Sequence, residues 1–154
     1  EILDLPIRIE WGACEWLNAK WYPSAPELAT PRERAERFPR VDPAYTSLLH
    51  PAYPETAEEA FARAGRAARL LALTYGQDLL VVGHGHSVVG MSWGLLEGRP
   101  EIDAGLCALI RIARYVQTWR LELNGDTSHL MGGMRRAIDS TREGPTVFQG
   151  GQCG

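Results

Sequence analysis

Two histidines stand a single residue apart in Leu79-Leu-Val-Val-Gly-His-Gly-His-Ser-Val88, with a glycine before and between them. An imidazole on such a turn can donate to an anionic oxygen or shuttle a proton near neutral pH, and the glycines let the backbone approach a ligand closely. The apolar run before the turn and the helical pattern after it place both histidines between a strand and a helix. In α/β sheets that is the edge where helix N-termini offer amide donors and a positive dipole end to an anion. His84, Gly85 and His86 are therefore candidates for an anion site. A polar turn that merely carries two histidines has the same letters, and the residues alone leave both readings open. A metal at His84 and His86 lacks a third ligand at recognisable spacing. A nucleotide loop lacks Gly-x-Gly-x-x-Gly or Gly-Lys-Ser/Thr spacing. No cofactor is implied.

The elements that must position this turn are readable around it. Asp78-Leu-Leu-Val-Val82 is a continuous apolar run of strand length, the pattern of a strand buried on both faces of a parallel sheet. Before it, Thr56-x-x-Glu59 forms a capping box. Phe61, Ala64, Ala68 and Leu71 follow at helical spacing, with Arg63, Arg66 and Arg69 around a different sector, so a helix is expected over 56–74. Ser87 is expected to cap a second helix that runs to about Glu97 and is closed by Gly98 and Pro100. Alternation over 107–114 and 118–123 predicts a hairpin. Residues 2–9 read as a short strand, and residues 11–54 as a proline-broken insertion with one brief charged helix from Pro31 to Phe38. Such a long connection serves as a lid or pocket wall, or as a solvated insertion. Residues 131–154 read as a glycine-rich tail.

Composition bounds the rest. The 154 residues, 45% apolar and 23% charged with a net charge of −3, suit one ordinary soluble domain. That balance supplies no basic face for nucleic acid. Of 16 basic residues only Lys20 is lysine, a bias that suits phosphate recognition because guanidinium forks match its oxygens, although genomic base composition produces the same bias. Cys14, Cys107 and Cys153 make neither a disulfide framework nor a metal spacing, which favours a reducing, cytoplasmic compartment. No apolar stretch approaches the roughly 20 residues of a membrane helix.

Strand, Gly83-His-Gly-His-Ser87 and helix resemble the second-histidine motif of the histidine phosphatase superfamily, the phosphoglycerate mutase-like fold. Pro54-Glu55-Thr56 is similar to that family's Glu-Ser/Thr helix start. Cys107-Ala-Leu-Ile-Arg-Ile, Trp119-Arg-Leu-Glu-Leu-Asn and Gly125-Asp-Thr-Ser-His-Leu130 are similar to its late hairpin and the segment after it. Ile7-Arg-Ile-Glu-Trp-Gly-Ala-Cys-Glu-Trp16 resembles its acidic segment. The likeness runs through residues 7–130 in the family's order. It implies an α/β, three-layer fold with a mostly parallel sheet. The implied activity is phosphomonoester hydrolysis through a phosphohistidine, on a phosphorylated small molecule or phosphopeptide. His84 matches the histidine that hydrogen-bonds the phosphoryl group as charge spreads over its oxygens. Glu10 matches the acid that protonates the leaving oxygen, a task for which its pKa would have to be raised. Glu15, flanking the same turn, is the second candidate. Gly85 would line the pocket, His86 would line its mouth or face water, and Trp11, Trp16 and Trp21 would suit an open aromatic wall or pack in the core. Glu55 serves the helix start near the pocket, with capping or a structural salt bridge as equal alternatives. His129 reads as structural.

The family's nucleophile motif, Arg-His-Gly, occurs nowhere in these residues. With Glu1 rather than methionine first, the expectation is an N-terminally incomplete domain over 1–130, inactive by itself, whose Asp78–Val82 strand has an unpaired edge prone to self-association, with a homodimer as one outcome. Two alternatives stand beside hydrolysis: a non-catalytic phosphate- or partner-binding module, and mutase-type phosphoryl transfer. The Glu10–Glu55 interval looks short for a mutase.

Overall fold

A computed structural model describes residues 5–130. It is a mixed α and β structure built from three helices and one two-stranded antiparallel sheet among those residues: α1 (Pro31–Arg37), α2 (Ala57–Thr74), α3 (Gly85–Leu95), β1 (Leu109–Tyr115) and β2 (Thr118–Asp126). A single 3-10 turn, Trp11–Ala13, precedes them.

Helix α2 begins as its capping box dictates. The Thr56 hydroxyl accepts from the Glu59 amide at 3.3 Å, and the Glu59 carboxylate accepts from the Thr56 amide at 2.8 Å. Thr30 and Glu33 repeat the device at α1. The inward face of α2 is built of small residues, with Ala60, Ala64, Gly65, Ala67 and Ala68 all buried. It lies against α3 so closely that a Cβ on Gly90 would come within 2.9 Å of the Ala64 Cβ, and one on Gly65 within 3.0 Å of the Gly94 Cα. Glycine is required there because backbone meets backbone. Phe61 fills the space beside this crossing, stacking on His86 at 3.7 Å and tilting against Trp93 at 4.7 Å.

The hairpin forms as the alternation predicts, with Tyr115 opposite Thr118 and Ile112 opposite Leu121. Asn124 ties it to the preceding segment, accepting from the Asp103 amide at 2.9 Å and donating to the Glu101 carbonyl at 3.2 Å.

Three expectations change. Residues 78–82 form no strand among the described residues, and Leu80 and Val82 are 65% and 87% exposed. An apolar run reports what a segment could be buried against, and no described segment covers this one. A mostly parallel, three-layer sheet is accordingly not part of the described structure; the one parallel pairing outside the hairpin is an isolated bridge between Ile7 and Val41. Ser87 does not cap α3. The N-cap is His84, the helix starts at Gly85, and Ser87 lies inside its first turn with its hydroxyl committed elsewhere. The expected 2–9 strand is reduced to the Ile7 bridge, residues 1–4 and the 131–154 tail lying outside the described residues.

Candidate functional site

The turn 10–16, the start of α2 and the first turn of α3 converge. At the centre is a buried ion pair: the Arg63 guanidinium binds Glu55 bidentately, Nε to Oε1 at 2.6 Å and Nη2 to Oε2 at 2.9 Å. Both residues are nearly sealed from solvent, at 2% and 7% exposure. The remaining Arg63 protons go to the main chain of the turn, to the carbonyls of Gly12 at 2.9 Å, Cys14 at 3.3 Å and Glu15 at 3.2 Å. Glu55 Oε2 also accepts from the Leu17 amide at 3.4 Å, and the Glu55 carbonyl accepts from Trp16 Nε1 at 2.8 Å. From the opposite side the buried Ser87 hydroxyl donates to the Cys14 carbonyl at 2.6 Å. Every arm of this network holds one loop in place.

The loop carries Glu15 to His84. Glu15 Oε2 lies 3.8 Å from His84 Nδ1, and Glu15 Oε1 accepts from the Trp16 amide at 2.8 Å. The His84 side chain is 67% exposed and makes no capping bond to the α3 first turn that it precedes. His84 and Gly85 thus stand at an exposed helix N-terminus, whose amides can donate to an anion, with the Glu15 carboxylate, itself only an acceptor when ionised, beside the ring.

Glu10 is placed differently. Its carboxylate accepts from the Ser47 hydroxyl at 2.6 Å, the Tyr45 hydroxyl at 2.8 Å, and the amides of Gly12, Leu48 and Leu49 at 2.8, 2.8 and 3.2 Å. Burial alone would raise its pKa, but the bonds from Ser47, Leu48, Gly12 and Tyr45 together hold it below the ordinary carboxylate value. The raised pKa expected of a proton donor is therefore not found at Glu10. This carboxylate closes the turn onto residues 45–49, and burial together with the bond to Glu10 pushes the Tyr45 phenol up.

His86 also differs from its expected place at the pocket mouth. Its ring is half-buried between Trp16, at 5.2 Å, and Phe61, with Nε2 3.2 Å from the Ala57 carbonyl. Burial moves its pKa down, against smaller opposing effects of the Ala57 carbonyl and the Glu15 and Glu55 carboxylates. It packs the floor under the turn. Trp16 belongs to that floor, and Trp21, 57% exposed, meets it edge-on at 5.0 Å. His50 and His129 are both exposed.

Sequence reasoning missed Arg63. The signal was available in its helical position, since Arg63 lies three residues after Ala60 and four before Ala67, on the face that the alanines bury. A lone guanidinium on a small-residue face demands a buried acid, and Glu55 at the helix start was the acid within reach. Among the described residues no cluster of His, Cys, Asp and Glu is suited to a metal ion, and no helix is long and apolar enough to cross a membrane. Comparison with protein-family models, with curated proteins and with solved structures finds no match for this chain.

Proposed function

We propose that His84, Gly85 and Glu15 form the phosphoryl-binding and proton-transfer part of a phosphomonoester hydrolase site of the histidine phosphatase type. The observation that carries this reading is the open α3 N-terminus with His84 at its cap and the Glu15 carboxylate 3.8 Å from the ring. In this reading an anion on the first-turn amides meets the His84 imidazole, and Glu15 passes a proton to the leaving oxygen and then takes one from water. Glu15 replaces Glu10 in this role because the Glu10 carboxylate is saturated by five donors. The attacking histidine of an Arg-His-Gly segment is not within the 154 residues. The phosphohistidine step therefore requires that segment from elsewhere, beside the bare 78–82 run in a three-layer sheet, and this chain alone has no turnover. The substrate class is a phosphorylated small molecule or phosphopeptide, and the compartment the cytoplasm.

Orthophosphate titrated into the chain and followed by 31P line width tests the site. Saturable broadening that disappears in His84→Ala supports it, and broadening unchanged by that substitution overturns it. Hydrolysis of p-nitrophenyl phosphate by the chain alone, abolished in His84→Ala, would overturn the requirement for an external nucleophile.

A further inference from the structure

We infer that Arg63 and Ser87 are positioning residues that aim the Glu15 carboxylate at His84 by converging on the main-chain carbonyl between the two helices, that of Cys14. This inference deepens the phosphoryl-site reading and rests on it for its catalytic meaning.

The geometry is specific to the turn. Arg63 reaches it from α2 and Ser87 from α3, and both donate to the Cys14 oxygen, at 3.3 and 2.6 Å. Arg63 adds the carbonyls of Gly12 and Glu15 on either side. Glu15 is the next residue in the chain after this junction, and His84 lies three residues before Ser87, so one carbonyl sets the register of carboxylate against imidazole. Glu55 holds the guanidinium in orientation through its fork, and the planarity of that fork is what lets one side chain serve a carboxylate and three carbonyls together. Ser87 is 1% exposed and Arg63 2%, so neither touches a ligand at the open helix end. Their effect on chemistry passes through Glu15.

The readout is the tautomer of the neutral His84 ring in the full chain, taken at alkaline pH from its ring carbon and nitrogen chemical shifts, with His84→Ala supplying the assignment. Which ring nitrogen carries the proton follows from the group facing it. A carboxylate held beside Nδ1 favours the proton on that atom. Wild type is expected to be mainly Nδ1–H and Glu15→Gln mainly Nε2–H. Ser87→Ala and Arg63→Lys, with helix content unchanged by circular dichroism, are expected to shift the ring as Glu15→Gln does, and Ser87→Thr, which keeps the hydroxyl, to restore the wild-type signature. If Arg63→Lys does not fold, the Ser87 pair decides. A wild-type tautomer in Ser87→Ala, or no change in Glu15→Gln, overturns the inference. No phosphate is present in this measurement. Failure of the anion site, read by 31P, is thus distinguishable from failure of the positioning device.

Discussion

The loop that carries Glu15 and the apolar run 78–82 lie on opposite sides of the same problem. The first is polar in its contacts and fixed; the second is apolar and bare. The buried apolar residues of the described chain are Ala13, Leu17, Val41, Ala60, Ala64, Ala67, Ala68 and Leu71, mostly small. Leu73, Leu80, Val82 and Leu106, by contrast, are each more than half exposed. A core of alanines gains little per residue from apolar burial, which stabilises by about 25 cal/mol per Å². What fixes the turn is hydrogen bonding to charged groups: one guanidinium and two carboxylates, those of Arg63, Glu55 and Glu10, take most of the polar groups that the turn presents. Order at this site thus comes from satisfied charges, and apolar content is no guide to where the chain is held.

That contrast can be broken at three places. The largest effect is expected for Glu55→Ala, which leaves the Arg63 guanidinium buried without its partner; a loss of about 3–5 kcal/mol in urea unfolding is expected. A loss under about 1 kcal/mol would mean that the charges do not hold the turn.

A smaller loss, about 1–3 kcal/mol, is expected for Glu10→Gln, because donors from Ser47, Tyr45, Gly12, Leu48 and Leu49 lose a charged acceptor. This one depends on pH. The Glu10 pKa is lower in the folded chain than the ordinary value of 4.5, so its contribution is complete above that value and is lost as the pH falls through the folded pKa. The stability difference between wild type and Glu10→Gln should therefore shrink on acidification below pH 4.5. A difference that stays constant or grows there contradicts the assignment.

The smallest effect on stability belongs to the bare segment. Leu80→Lys with Val82→Lys should change the unfolding free energy by less than about 0.5 kcal/mol, as expected where a side chain is not packed. The same pair should reduce self-association in sedimentation, since charged residues interrupt an exposed apolar run. A large loss of stability would show that the segment is covered in solution.

How far the sequence could be read follows the same division. Helix α2 and the hairpin were legible because their signals are local: a capping box with a small-residue face, and alternation about a tight turn. The pattern of residues 78–82 predicts a buried strand, but a strand is a pairing, and the described residues hold no partner for it. The start of α3 was misplaced by three residues since Ser87 is a good cap by type, yet its hydroxyl is claimed by Cys14 across the fold. The choice between Glu10 and Glu15 could not be made from spacing, as both flank one turn. Their surroundings differ through long-range contacts, residues 45–49 reaching Glu10 and α3 bringing His84 to Glu15. Arg63 was hidden among arginines at regular steps, although its place among buried alanines set it apart from Arg66 and Arg69.

The stack of His86 on Trp16 gives the floor of this site an optical property. Because burial keeps the His86 imidazole neutral to below its ordinary value of 6.5, the indole facing it at 5.2 Å has an uncharged neighbour at neutral pH. Protonation of that ring places a cation against the indole and draws on its excited-state electron density. The Trp16 share of the emission of the five indoles consequently depends on the charge of the ring packed beneath Glu15, which ties a spectroscopic signal to pH without a label and without a ligand.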